Sequence, residues 1–392
     1  MNLFPLLLAI LIIAFFTGSD SLFYLAYALG GLALLSRLWM RRALAGLQSE
    51  RCFPRRAFFG ERVTVTLRVA NRGRWPLLWL QVHESLPLDL HVPNFVRRVV
   101  SLAPGESTTI RYTLSCRKRG YYPLGPLHLR TGDFFGLAPE REATVAADTL
   151  IVYPKVVPLR HLGLPSQLPH GSLASRRRIF EDPSRFFGVR DYRPEDGLRR
   201  IHWKSSARAD RLQVKRFQPA IALHTLVVLN LNADAYTPRT RLTAGEVGIT
   251  VAASIAAHLV EQRQEVGLAL LGGDRVTGWA GLQVIPPARG RAHLVRLLER
   301  LARAEVAPTL PLAEALPRTG ADLGWGSTLV VITPGEEPRL LEALLQMRRQ
   351  GFHLLLVATD PRAPFRRLQG QLERIQVPAC WVTHEQEMEV WR

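Results

Sequence analysis

The stretch GVRDYRPEDGLRRIHWKSSARADRLQVKRF, Gly188 to Phe217, gathers Arg, Lys, His, Trp, Tyr, Asp and Glu with almost no plain core sequence. Three chemistries compete for it. His202, Lys204 and Asp196 are the residue types of acid–base catalysis, and arginines can clamp a phosphate. No nucleophile with an adjacent base accompanies them, and Ser205 and Ser206 are ordinary serines. Nucleic-acid binding is the second reading: 13 Lys/Arg lie between Arg176 and Arg216, with Tyr192, Trp203 and three Phe able to stack. Six Asp/Glu interleave with those bases and blunt any phosphate-tracking stripe. The third reading is a structural clasp. RPEDG makes a turn whose Asp196 can cap a following helix. A helix over LRRIHWKSSAR sets Arg200, Lys204 and Arg208 at i, i+4 and i+8 along one face, with Ile201 free to pack. RLQVKRF turns Leu212 and Val214 inward and feeds a strand into the α/β sheet. Asp191, Glu195 and Asp196 pair with the arginines, and Trp203 wedges between two domains. The clasp accounts for most of the pattern. Whether the stretch also shows a rigid basic face to a partner stays open.

Elsewhere the chemistry is sparse. Cys52, Cys116 and Cys380 are far apart and lack CxxC spacing, which excludes a zinc framework and favours a reducing compartment. No GxGxxG, GxxxxGK[ST] or GxSxG occurs, so nucleotide binding and serine-hydrolase chemistry lack their usual signals. Net charge is +18, but only Lys118, Lys155, Lys204 and Lys215 among the 51 basic residues are lysine. Arginine spread so evenly reads as a solvated surface, although two of the four lysines fall in the opening stretch.

The positioning elements read in four blocks. Residues 1–42 hold two apolar runs, Leu3 to Phe16 and Ser21 to Ser36, broken by the turn Gly18-Ser19-Asp20. This is the pattern of a transmembrane helical hairpin, the second run reaching spanning length if Arg37 snorkels. Arg37, Arg41 and Arg42 follow it, which by the positive-inside bias places the bulk of the chain in the cytoplasm. Residues 50–157 alternate apolar and polar positions in short runs, as in Val63, Val65, Leu67 and Val69, and indicate an Ig-like β-sandwich whose charges are solvated. Residues 158–218 are a connector carrying the signature stretch. Residues 219–392 alternate buried strands with amphipathic helices, the mark of a parallel, doubly wound α/β sheet. Such sheets place ligands at the strands' carboxyl ends. Those ends are Asn230, Asn232 and Asp234, then Thr333 with Pro334, then Asp360.

With its hairpin, β-domain, signature and α/β domain in that order, the chain resembles the bacterial domain-of-unknown-function-58 family over essentially its full length. Arg190, Tyr192, Pro194, Asp196, Arg200, Ile201, His202, Trp203, Lys204, Ser206, Ala207 and Arg208 carry the resemblance, and Glu195 stands where Gly is more usual. The resemblance implies a von Willebrand factor A-like domain. It also implies company with MoxR-type AAA+ ATPases and often with a transglutaminase-like membrane protein, and it brings no established enzymatic activity.

Metal-binding A-domains hold Mg²⁺ with a DxSxS loop, a Thr on a second loop and an Asp after a later strand. By resemblance the first motif falls on Asn230, Asn232 and Asp234, and the Thr on Thr309; Thr333 and Pro334 stand where TDG is usual. With the leading Asp replaced and the last lost, little charge remains for a hydrated dication. The expectation is therefore a membrane-anchored adaptor, not an enzyme, without cofactor or nucleic acid. It presents the A-like domain, with Arg190, Tyr192, Asp196, Arg200, His202, Trp203, Lys204 and Arg208 as signature and partner residues. A Mg²⁺-dependent ligand-binding A-domain is the alternative, and a nucleic-acid-binding protein or phosphoryl enzyme the third.

Overall fold

A computed structural model describes residues 3–90, 97–132, 140–159, 181–192, 201–219, 224–321, 323–324, 326–360, 365–384 and 387. The chain divides into two compact units, Met1–Lys155 with Leu298–Arg303, and Val156–Leu297 with Ala304–Arg392.

The first unit opens with helices α1 (Leu3–Thr17) and α2 (Asp20–Ala45), which pack together. Gly18 joins them at a left-handed φ of 63°, a conformation glycine adopts without strain. The expected hairpin and its turn are in place. By length and composition α2 can cross a membrane, and it leaves Leu34, Leu35 and, on α1, Phe15 and Phe16 facing outward. Only Gly46 separates α2 from β1 (Leu47–Cys52). Nine more strands follow: β2 (Arg56–Phe58), β3 (Arg62–Asn71), β4 (Leu77–Glu84), β5 (Arg97–Leu102), β6 (Ser107–Ser115), β7 (Gly120–Leu124), β8 (Leu127–Thr131), β9 (Arg141–Val145) and β10 (Asp148–Tyr153). They form three short sheets, β1-β3-β6, β2-β10-β7 and β5-β4-β8-β9, around one apolar core. Val63, Val65, Leu67 and Val69 point into it, as period-2 patterning requires. Ala43 of α2 belongs to the same core.

One expectation fails here. The β-domain's charges are not all solvated. Arg51 donates to Glu84 at 2.6 Å and to Asp148 at 2.7 Å, and Tyr112 donates to the other oxygen of Glu84. Arg51 and Glu84 have almost no exposed side chain. Both sit on inward-facing positions of their strands, which is why they bury each other.

The second unit holds a small ribbon, β11 (Glu181–Asp191) and β12 (Gln213–Pro219), with helix α3 (Trp203–Ala209) between them in sequence. The large sheet follows: β13 (Thr225–Asn230), α4 (Arg241–Glu261), β14 (Val266–Asp274), β15 (Ala280–Ala288), α5 (Arg291–Arg303), β16 (Ala304–Glu305), α6 (Leu312–Gly320), β17 (Thr328–Thr333), α7 (Leu340–Arg349), β18 (His353–Ala358), α8 (Phe365–Arg374) and β19 (Ala379–Trp381). The order is β15-β14-β13-β17-β18-β19, with β16 beside β14. Pairs among β14, β13, β17, β18 and β19 are parallel, and every residue of β13, β14 and β17 is buried. Helix α4 is as apolar as a membrane span but is mostly enclosed by the protein, so it is a core helix. The expectation of an all-parallel sheet is corrected by β15, which runs antiparallel at the sheet's edge. Pro286 and Pro287 suit that place, since an edge strand can spare ladder donors. Chain order reverses about β13, whose neighbours are β14 on one side and β17 on the other. That makes the carboxyl ends of β13 and β17 the crevice of the fold.

Candidate functional site

Two places hold the residues singled out from sequence: the ribbon with α3, and the crevice at the ends of β13 and β17. In the ribbon, β11 and β12 pair antiparallel with Arg190 opposite Val214 and Asp191 opposite Gln213. The expectation that RLQVKRF feeds the main sheet is corrected: β12 pairs with β11. Its other neighbour is the signature itself, where Ile201 bridges to Val214 and the His202 amide donates to the Gln213 carbonyl at 2.7 Å. Ile201 and Val214 are both buried. A strand with both flanks taken has no edge to offer a larger sheet.

The same bridge holds Ile201 in an extended conformation and delays the helix. α3 begins at Trp203, later than expected, and its cap is His202, whose Nδ1 accepts from the Ser205 amide at 3.1 Å. The cap of α3 is therefore His202; Asp196, Glu195 and Arg200 lie outside the described residues. Ser206, taken as ordinary, is the pin of the motif: its hydroxyl accepts from the Gln213 amide at 2.8 Å and donates to the His202 carbonyl at 3.1 Å. Asp210 ends the helix in the left-handed region, which Asp tolerates better than most residues. Arg190 donates to the Asp191 carbonyl, the Tyr192 amide to the Leu212 carbonyl, and Arg211 pairs with Asp191 at 3.2 Å. Expected pairing of Asp191 with the arginines thus holds.

The remaining signature side chains face outward. Trp203 is 67% exposed, and Lys204 and Arg208 are exposed on the same short helix. This corrects Trp203 as a buried wedge. Hydrogen bonds through Ser206 and His202 hold the motif, so no aromatic plug is needed.

At the crevice, Asn230 and Asn232 are buried and tied into their own loop. Asn230 Oδ1 accepts from the Asn232 amide at 3.0 Å, and its Nδ2 donates to the Thr333 hydroxyl at 3.2 Å. Asn232 Oδ1 accepts from the amides of Asp234, at 3.4 Å, and Thr309, at 3.1 Å. The structure thus brings Asn230, Asn232 and Thr309 together by hydrogen bonds, while the Asp234 side chain faces solvent. Tyr236 donates to the Asn230 carbonyl at 2.7 Å, and Thr240 donates to Asp360 at 2.6 Å. Burial, with the charge of Asp360, pushes the Tyr236 phenol far up.

Glu337 was missed. It follows β17 in TPGEEP, accepts from the Leu312 amide at 2.9 Å and is bonded by Asn232. Burial holds its carboxyl above the ordinary glutamate value; those two hydrogen bonds pull it back, and the charge of Asp234 adds to the rise. An acidic residue one turn past a strand end at the chain-order reversal was the available signal. A cleft of about 570 Å³ opens here, lined by Ala235, Thr237, Gly335, Glu336, Glu337 and Asp360 among others. Among the described residues no three His, Cys, Asp or Glu side chains converge as metal ligands would.

Residues 188–333 match the family described as "Protein of unknown function DUF58". Over that stretch the chain carries a DUF58 region. The DUF58 match starts in β11 and ends on the last residue of β17, so it takes in the ribbon, α3 and both strand ends of the crevice. A protein of Bacillus subtilis described as "Uncharacterized protein YeaD" is 25% identical over 306 residues, which are 76% of this chain and 73% of that one. Among solved structures, the CARDB domain of the PF1109 protein from Pyrococcus furiosus aligns over 27% of this chain and 86% of its own, at 14% identity and TM-score 0.20. A Salmonella alpha-2-macroglobulin aligns over 27% of this chain and 7% of its own, at 18% identity and TM-score 0.23.

Proposed function

We propose that this protein is a membrane-anchored adaptor without catalysis of its own. In this reading α1 and α2 hold it in a bacterial inner membrane, and Arg37, Arg41 and Arg42 keep both units in the cytoplasm. The first unit is an Ig-like platform and the α/β unit an A-like one, a reading the strand order supports. The outward face of α3 receives a partner, which by family resemblance is a MoxR-type AAA+ ATPase. The observation that carries the proposal is the split within the signature. His202 and Ser206, the side chains that could do chemistry, spend their hydrogen bonds on holding the chain. Trp203, Lys204 and Arg208 stand free of that work on one exposed helix. A large aromatic beside cations is the composition of a binding hot spot.

The crevice is read as a metal-free contact surface. Mg²⁺ wants several unengaged oxygens in octahedral array, but Asn232 Oδ1 already receives two amides, Asn230 Oδ1 one, and Pro334 contributes no side-chain oxygen. The donor set does not fit the ion.

The test is co-purification of the ATPase with the full chain from membranes. Trp203→Ala should abolish it while changing stability by under about 1 kcal/mol, since exposed positions away from caps and cores cost little. Lys204→Ala should weaken it. Retention of the ATPase by Trp203→Ala overturns the assignment of this face.

A further inference from the structure

We propose that the turn between β3 and β4, residues Arg72 to Pro76, is seated in the headgroup layer of the bilayer, with Trp75 at the interface and Arg72 and Arg74 against anionic lipid. This rests on the reading that α2 crosses a membrane, and goes beyond it by assigning a lipid-contact surface to the β-rich unit.

The argument begins with how tightly that turn is held to the helix. The Gly46 carbonyl at the end of α2 accepts the Arg72 amide at 2.8 Å. A Cβ on Gly46 would stand 2.5 Å from the Gly73 Cα, so only glycine allows this approach. Trp39 on α2 donates from its indole to the Pro76 carbonyl at 2.9 Å, and the Trp39 and Trp75 rings lie 6.0 Å apart. Asn71, fully buried, fixes the turn from the other side: its amide donates to the carbonyls of Trp75 and Leu102, and its oxygen accepts from the Gly73 amide. With Ala43 in the β-unit's core, helix and turn are one rigid piece.

The depth of that piece follows from α2. Its apolar stretch ends where Arg37, Arg41 and Arg42 flank Trp39, which is the level at which tryptophan and arginine sit in membrane proteins. Trp75 at 6.0 Å from Trp39 shares that level. Around it the surface is unusual for a soluble face: Trp75 is 40% exposed and Leu78 48% exposed, with Arg72 and Arg74 exposed beside them. Amphipathic rings with basic neighbours match an anionic headgroup layer, which attracts arginines lying at the membrane surface. Past the other end of β4, Leu88 is fully exposed.

The experiment uses the full chain in vesicles of phosphatidylcholine with phosphatidylglycerol, and of phosphatidylcholine alone. Cys52 and Cys380 are changed to Ser; Cys116 can stay, because it is buried and its thiol is pushed up to about 11 by burial and the charge of Glu61. A single fluorescent label is placed by Leu8→Cys, midway along α1 and facing outward, Leu78→Cys or Leu88→Cys, and quenched by lipids brominated near the headgroup or along the chain. The expected result is chain-depth quenching at 8, headgroup-level quenching at 78 and none at 88. The signal at 78 should be stronger with phosphatidylglycerol and should fall when Arg72 and Arg74 are both changed to Gln. If 8 is quenched while 78 behaves like 88, the seating is overturned and the anchor stands. If 8 is not quenched, the anchor itself fails. If the arginine variants leave the signal at 78 unchanged, anionic lipid is not what they contact.

Discussion

In the β-rich unit Arg51 and Glu84 put formal charges inside the fold, tied to Tyr112 and the partly exposed Asp148, whereas at the crevice of the α/β unit Asn230, Asn232 and Thr333 fill the same kind of position with neutral amides and a hydroxyl. The charged set draws on four strands, β1, β4, β6 and β10. The neutral set ties backbone of neighbouring loops and stops at an open cleft that Glu337 and Asp360 border. A closed ion pair holds distant strands in one register. A set of amides shapes loops and leaves the buried acids Glu337 and Asp360 beside it at the cleft.

The largest effect should come from breaking the charged set. Burial lowers the Arg51 pKa, but Glu84 and Asp148 outweigh it and keep the guanidinium firmly charged. Glu84→Ala would leave that charge with only the partly exposed Asp148, at a cost of about 3–5 kcal/mol. Hydrogen exchange should quicken in β1, β4 and β6 and stay unchanged in β13 and β17. Replacing the set together, Arg51→Met with Glu84→Leu and Tyr112→Phe, should restore most of the protection, as isosteric apolar swaps of buried ion pairs do. Unchanged exchange in Glu84→Ala would mean the pair is not closed off from water.

Asn232→Ala should act in the other unit and more weakly. It strands the Thr309 and Asp234 amides, both partly buried, at a cost of about 1–3 kcal/mol. Exchange should quicken after β13 and around Thr309 and leave β1 and β4 untouched. A response in both units would erase the distinction between the two clusters.

These two clusters also show what the sequence could and could not disclose. Period-2 alternation placed the β-unit's strands, and continuous apolar runs placed β13, β14, β17 and β18. The same alternation, carried one step further, puts Glu84 in phase with Leu80 and Val82, all three on the buried face of β4. Its polarity argued for solvent, and its partner Arg51 is 33 residues away, so the pairing was invisible without the register. The strand end at Asn230, Asn232 and Asp234 was legible from fold class, whereas Thr309 followed only from the resemblance to metal-binding A-domains. The signature was legible as a unit but misread in its parts. Helical spacing at Ile201 was overruled by its bridge to Val214, and Trp203 followed the helix outward.

The smallest effect concerns Glu337 and is a change of slope. Its folded pKa stands above the ordinary value of 4.5, chiefly through burial. Between those two values the folded state holds a proton that the unfolded state releases, so the unfolded state binds fewer and stability falls as pH rises. The contribution is fully present below pH 4.5 and is lost as pH climbs through the raised folded value. Glu337→Gln keeps an oxygen for the Leu312 amide and removes the titration. Its melting curve should match the parent below pH 4.5 and exceed it at neutral pH, with the gain confined to the α/β unit. Parallel melting profiles across that range would mean Glu337 titrates as a solvated acid. The crevice would then carry a full negative charge at its edge, and the contrast with the closed charges of the β-unit would have to be drawn from hydrogen bonding alone.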